Sequence, residues 1–285
     1  MVTKRGIAIT ALALALGASA LIAQTATSGP SATSAQASPQ TKTPAKSKAS
    51  TSKTTAKIPA KAVPAPAPAA PAKVEPAKGS ADLEAVLDQL DKASSDFKST
   101  EAEFVWEQYQ KVVDETDTQK GKIYFVRRDK DNTNMAANIV EPDKKDLTFA
   151  EGKLRFYQPR IDQVTEYDAG KNKGEVETFL VLGFGGRGHD LPKSFNLKFA
   201  GYETVDGVKT AKLELDPKAQ KVKSTFAQII LWVDTARGVS LKQQFIEPSG
   251  DYRLAKYSNF KMNGKISDEV FKLKTTSKTK IVKQQ

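Results

Sequence analysis

The spacing of apolar residues changes period once along the chain, and that change divides helix from sheet. Leu83, Leu87, Leu90 and Phe97, with Val86 and Ala93 beside them, recur at helical spacing after Ser80. Ser80 is a good N-cap, and Asp82 and Glu84 sit in the first turn, where the helix dipole favours anions. After Phe97 the period becomes two. Ala102, Phe104 and Trp106 alternate with Glu103, Val105 and Glu107, and Ile123, Phe125 and Arg127 alternate with Tyr124, Val126 and Arg128. Further strand patterns follow from Phe226 to Val233, Val239 to Ile246 and Arg253 to Met262.

Turn signals separate these runs. Glu151-Gly152 divides Leu147 and Phe149 from Leu154 and Phe156, and Asp206-Gly207 divides Phe195, Leu197 and Phe199 from Ala211, Leu213 and Leu215. Ser249-Gly250 and Asn263-Gly264 end later runs. Tight turns imply antiparallel pairing in sequence order. The expected fold is mainly β with helices (α+β): an incomplete antiparallel β-barrel of about nine to eleven strands, with one N-terminal helix and a short helical piece at Glu175 to Leu182.

Charge sharpens the boundaries. The 285 residues carry a formal +11, which suggests a nucleic-acid partner until the charges are placed along the chain. Lys4 and Arg5 supply +2 to residues 1–23, and eight lysines against Glu75 supply +7 to residues 24–78, leaving +2 on the other 207 residues. All 22 aromatic residues lie between Phe97 and Phe271, so only that region can bury a core. Residues 1–20 read as a secretory signal: two cations, an apolar run from Gly6 to Leu16, and Ala18-Ser19-Ala20 as a cleavage site. An uncleaved inner-membrane anchor is the alternative, because no charge occurs from Gly6 to Ala23. Residues 21–79 form a linker of alanine, proline, lysine, serine and threonine with nine of the fourteen prolines. It cannot bury enough surface to offset its conformational entropy, and reads as a disordered tether or spacer. The remaining domain is 80–285.

Catalytic chemistry is poorly supplied. Cysteine is absent, which excludes disulfides, thiol nucleophiles and thiolate metal sites, and the single histidine, His189, makes a multi-histidine metal site improbable. Between Gly188 and Asp190, His189 reads as a loop histidine rather than a general base. No catalytic residue, cofactor or metal is assigned. Gly183-Phe184-Gly185-Gly186-Arg187-Gly188 matches the dinucleotide fingerprint in form, but Pro192 follows too soon for the long helix that motif opens. A mobile glycine-rich hinge or lid edge is the better assignment. No basic array with interleaved aromatics supports nucleic-acid binding. Arg127 shares a strand face with Ile123 and Phe125, and an arginine facing inward among apolar residues needs partners such as backbone carbonyls; a solvated strand end is the alternative.

Glu151-Gly152-Lys153-Leu154-Arg155-Phe156-Tyr157-Gln158-Pro159, followed by Gln163-Val164, resembles the D/E-G-x-L-x-x-Y-x-P…Q-V stretch of the LolA-type outer-membrane lipoprotein carriers. Three more segments agree in order: the helix leading to Phe97 with Phe104 and Gln108, Gly121 to Arg127, and a closing strand ending at Phe271. The resemblance spans roughly residues 80–285. It implies an unclosed barrel with a helical lid over a cavity for lipoprotein or lipid acyl chains. Phe104, Trp106, Ile123, Phe125, Leu147, Phe149, Leu197, Phe199, Leu213 and Leu215 would line that cavity, and Arg127 would latch the lid. The same apolar residues would serve equally as a dry core. The resemblance also implies a periplasmic monomer with an inner-membrane releasing complex and an outer-membrane acceptor as partners. A tethered envelope sensor of the same fold is the rival reading. After the arginine, Arg128-Asp129-Lys130-Asp131-Asn132 stands where family members commonly carry a proline and aromatic residues.

Overall fold

The structure is a computed structural model that describes residues 78–129, 132–170 and 173–284. The leader and most of the tether therefore lie outside the described residues, as do Lys130 and Asp131. Helix α1 (Lys78–Asp96) opens the described chain. It starts earlier than its sequence signals suggest, so Ser80 falls within its first turn instead of capping it, and Asp82 and Glu84 come later. Leu87 and Leu90 point inward with Val86, as the helical spacing requires.

Twelve strands follow: β1 (Ser99–Gln110), β2 (Glu115–Asp129), β3 (Asn132–Glu141), β4 (Lys145–Ala150), β5 (Lys153–Gln158), β6 (Gln163–Asp168), β7 (Phe195–Val205), β8 (Val208–Pro217), β9 (Gln228–Asp234), β10 (Val239–Ile246), β11 (Tyr252–Met262) and β12 (Lys280–Gln284). They form one open sheet in the order β12-β6-β5-β4-β3-β2-β1-β11-β10-β9-β8-β7, an incomplete barrel with short helices. Neighbours pair antiparallel in sequence order, except that β1 joins β11 and β12 lies parallel to β6. The count exceeds expectation partly because β12 reads Lys-Ile-Val-Lys-Gln at a sheet edge, mostly exposed and without clean alternation. The turns at Glu151-Gly152 and Asp206-Gly207 both have two residues at positive φ, the geometry that matches the twist of a two-residue hairpin.

One face of the sheet carries α1, α2 (Lys173–Leu180), the segment 181–190 and the short α3 (Leu191–Ser194). Val86, Leu90 and Phe97 pack there with Phe179, Leu182 and Phe184 against Phe104, Ile123, Phe125, Met135, Leu213 and Ile229. The other face is covered in part by the chain after β11. Strand β11 ends at Met262, and Phe271, expected to close it, is buried in a 3-10 turn (Asp268–Phe271) packed on β3 and β4. This explains why Leu147, Thr148 and Phe149 are buried in succession: β4 is covered on both faces.

Candidate apolar cavity and the segments that close it

An apolar cavity of about 100 Å³, open to solvent at its mouth, lies on the helix-bearing face of the sheet's centre. Strands contribute Trp106 from β1, Ile123 and Phe125 from β2, Met135 from β3, Phe245 from β10, and Ala255 and Tyr257 from β11. The covering side contributes Phe179 and Leu180 from α2, then Leu182 and Phe184. Phe226, from the approach to β9, completes the wall. Glu107, Gln108, Asp117, Gln119, Gln243 and Arg253 are its polar members.

Of the residues expected from sequence, Trp106, Ile123 and Phe125 line this space. Phe104 does not; it stacks against Trp106 with ring centroids 3.9 Å apart. Leu147, Phe149, Leu213 and Leu215 are core residues buried outside its lining, and Leu197 and Phe199 are only partly buried. The reason is topological. β4, β7 and β8 lie farther toward the two ends of the sheet than β1, β2, β3, β10 and β11, which frame the cavity.

Phe184 is the central covering residue. Its ring stacks on Phe125 at 4.4 Å and meets Tyr257 edge-on at 4.9 Å. The backbone beside it is tied down at several points. Gln243 Nε2 donates to Leu182 O at 2.7 Å, Tyr257 Oη lies 3.2 Å from Gln243 Oε1, and Ser240 N donates to Gly183 O at 2.7 Å. Complete burial holds the Tyr257 hydroxyl well above the usual phenolic range.

Arg127 extends β2's inner face to the junction of α1, β1 and this segment. Its Nη1 donates to Ser94 O at 2.6 Å and Phe97 O at 3.3 Å, and its Nη2 to Gly185 O at 2.5 Å and Ser94 Oγ at 3.3 Å. The guanidinium also lies 5.3 Å from the centre of the Phe97 ring. Burial lowers its pKa from the ordinary arginine value, yet it remains a cation at any physiological pH. One charged group thus joins the end of α1 to the glycine-rich segment.

That segment, expected from sequence to be a mobile hinge or a lid edge, is packed closely against α1. Gly185 has φ +72°, and a Cβ there would come within 2.3 Å of the Phe97 ring. A Cβ on Gly188 would come within 2.4 Å of Leu87 O. These glycines permit close approach to α1. His189 adds a second fastening: its Nδ1 is 2.8 Å from Asp91 Oδ2 and its Nε2 2.8 Å from Glu84 Oε1, both on α1. Hydrogen bonds to Glu84 and Asp91 raise the imidazole pKa above its ordinary 6.5. Partial burial works against ionised Asp91, but its hydrogen bonds from His189 and Gly188 win and hold its pKa below the ordinary value. Glu84, Asp88 and His189 bring candidate ligand atoms within 4.8 Å of one another, but both ring nitrogens of His189 already face carboxylates.

Sequence reasoning missed Phe179, Leu180, Leu182, Phe184, Phe226, Phe245, Tyr257 and Arg253. For Arg253 a signal existed. It alternates with Ala255 and Tyr257 along β11, as Arg127 alternates with Phe125 along β2. Among the described residues no helix is long and apolar enough to cross a membrane.

A family model described as outer membrane lipoprotein carrier protein LolA matches residues 95–274. No curated protein matches the chain by sequence. Among solved structures, an uncharacterized conserved protein from Thermus thermophilus is 12% identical, with a TM-score of 0.47, over 71% of this chain and 99% of that one. The Pseudomonas aeruginosa MucA/MucB complex contains a chain 14% identical, TM-score 0.42, over 67% of this chain and 61% of its own. A LolA superfamily protein from Nitrosomonas europaea is 13% identical, TM-score 0.34, over 67% and 97%.

Proposed function

Because the chain belongs to the LolA family of outer membrane lipoprotein carrier proteins, we propose that it is an exported, non-enzymatic carrier that holds acyl chains of lipoproteins or lipids in its apolar cavity. The observation that carries the reading is the cavity itself: aromatic and aliphatic walls on five central strands, closed by Phe179, Leu180, Leu182 and Phe184 from the covering side. Residues 1–20 would direct export, 21–79 would tether or space the domain, and 80–285 would bind cargo in the periplasm. The carrier would act as a monomer between an inner-membrane releasing complex and an outer-membrane acceptor.

Burying an acyl chain contributes about 0.8 kcal/mol per methylene, so a chain of about 16 carbons gains at most roughly 12 kcal/mol. A carrier has to release its cargo, and the covering segment supplies a competitor. Phe184 occupies the surfaces of Phe125 and Tyr257 that a chain would cover. Each such ring contact contributes about 0.5–1.5 kcal/mol beyond its burial, so closing the lid takes back part of the gain. Arg127, which fixes Gly185 next to Phe184, is the lid latch in this scheme.

Mass spectrometry of the protein purified gently from its native envelope tests the proposal. Co-purifying acyl chains or lipoproteins are the expected result. A ligand-free protein that also takes up neither a fluorescent fatty acid nor a fluorescent acyl ester overturns it. A mature N-terminus after Ala20 in a soluble fraction supports a shuttle, whereas residues 1–23 retained in the inner membrane make the chain a fixed, tethered module.

A further inference from the structure

Arg253 is the one cation among the described residues lining the cavity, and its surroundings leave it incompletely satisfied. It lies on the face of β11 that carries Ala255 and Tyr257, opposite Gln108 of β1 and Phe245 of β10. Its Nη2 donates to Glu247 Oε1 at 2.9 Å, and its guanidinium carbon lies 5.9 Å from the centre of the Phe226 ring. Its Nε and Nη1 are buried and have no hydrogen-bond partner among the described residues. A guanidinium offers five N–H donors and no acceptor, and leaving such donors buried and unmatched is costly. Arg253 lines the cavity, and a small turn of its side chain would bring these donors to an oxygen held there.

The charges nearby decide which oxygen fits. Glu247 already neutralises the guanidinium, and Glu107 and Asp117 are further acidic members of the same lining. Lys256, facing the other side of β11, neutralises Glu107 at 3.1 Å, so Asp117 is the acid of the lining that has no ion pair among the described residues. A second full negative charge would therefore meet Asp117 and compete with Glu247 for the same guanidinium. A neutral carbonyl oxygen accepts the same hydrogen bonds without that repulsion.

We infer that Arg253 is the head-group anchor of the cavity and selects acyl chains that end in an ester or amide carbonyl over free fatty acids and over bare hydrocarbon. The inference rests on the acyl-carrier reading above and makes its ligand class specific. The hydrocarbon would lie along Trp106, Ile123, Phe125 and Phe184, with the carbonyl at Arg253, near the end of the sheet where the β1–β2 and β10–β11 turns lie. Arg127 and Arg253 then divide the work. The first holds the protein's own carbonyls, and the second holds the ligand's.

The test measures full-length protein against three probes of equal chain length: monopalmitoylglycerol, palmitate and hexadecane, by displacement of a fluorescent acyl probe. The wild type should prefer the ester over hexadecane by about 10- to 100-fold, the range for hydrogen bonds from a charged donor. Arg253→Met should lose that preference while still binding the chain, and Arg253→Lys should restore part of it. To guard against misfolding of the variants, Nε–H resonances of ¹⁵N-arginine-labelled wild type provide a second readout. The Arg253 signal should shift with the ester and not with hexadecane. Equal head-group preference in Arg253→Met, a wild type that favours palmitate, or an unmoved Arg253 signal overturns the anchor while leaving acyl binding intact. Failure of all three probes to bind overturns the carrier reading itself.

Discussion

Replacing Arg127 with leucine should loosen the end of α1 and the glycine-rich segment together, by an amount that follows from the hydrogen bonds lost. Two of its four are short, to Ser94 O at 2.6 Å and Gly185 O at 2.5 Å. A hydrogen bond from a charged donor contributes about 1.5–3 kcal/mol, which gives about 3–6 kcal/mol for the two. Two effects reduce this. Ser94 O keeps the Phe97 N–H at 3.3 Å, and Gly185 O keeps Ser94 Oγ at 2.7 Å, so neither carbonyl is left without a donor. Leucine also escapes the desolvation that lowers the arginine pKa. A net loss of about 2–3 kcal/mol is expected, which raises the opening equilibrium roughly 30- to 150-fold.

Native-state hydrogen exchange reads that change directly. The Gly185 amide donates to Gly238 O at 2.9 Å and the Ser240 amide to Gly183 O at 2.7 Å, both across the edge of the segment, so both report on whether it is closed. In Arg127→Leu they should exchange faster by the stated factor, and a bound acyl probe should leave faster as well. Arg128→Leu is the control. Arg128 belongs to the opposite face of β2, where it pairs with Asp268 and lies 5.3 Å from the Phe271 ring centre. Exchange within threefold of wild type in Arg127→Leu would show that Arg127 is only a strand-end charge and would refute the latch.

Three further changes probe the same closure. Phe184→Ala should cost about 3–5 kcal/mol in chemical denaturation yet increase the affinity for an acyl probe, because the competing ring is gone; unchanged affinity would count against lid competition. Gly185→Ala should cost about 1–3 kcal/mol, since φ is +72° and the Phe97 ring stands 2.3 Å from the new Cβ; a melting temperature equal to wild type would contradict that geometry. His189→Gln should lower the melting temperature most on the acid side of neutrality. The folded imidazole pKa lies above 6.5, so its contribution is complete below that value and is lost as pH rises through the raised pKa, while Asp91 stays ionised above its lowered one. A wild-type advantage that grows at alkaline pH would refute the clamp.

Local patterns made much of the fold legible. The alternation in β1 and β2 named the inner face, and the turn residues Glu151-Gly152 and Asp206-Gly207 sit where both flanking strands require positive φ. What could not be read was the partnership of strands distant in sequence. Pairing of β1 with β11 decides that Tyr257 and Arg253 face Phe104 and Gln108, and it centres the cavity on strands from both halves of the chain. Without that pairing, every inward residue is equally able to line a cavity, and nothing in the alternation separates Leu213 and Phe149 from Trp106. The covering residues were hidden for another reason. Phe184 lies among glycines whose role depends on Phe97 and Leu87, more than 80 residues earlier. Local composition reads as freedom where the tertiary contacts impose close packing.

The glycine segment therefore cannot be treated as a loose flap that swings independently of the rest. Arg127 binds Ser94 and Phe97 with the same guanidinium that binds Gly185, Ser94 Oγ donates to Gly185 O, and His189 grips α1 through Asp91 and Glu84. Segment and helix end are one hydrogen-bonded unit, held to the sheet by Arg127 on β2 and by Ser240 and Gln243 on β10. If a ligand enters beneath Phe184, that unit has to lift as a whole. The amides of Gly185 and Ser240, which join the segment to its neighbours, and that of Lys98, which donates to Asn263 Oδ1 at 2.8 Å just after α1, should then share one opening free energy and shift by the same factor in Arg127→Leu. Separate opening energies for the two stretches would show that Arg127 touches both without coupling them, and that α2, with Phe179 and Leu180, is the element that admits the chain.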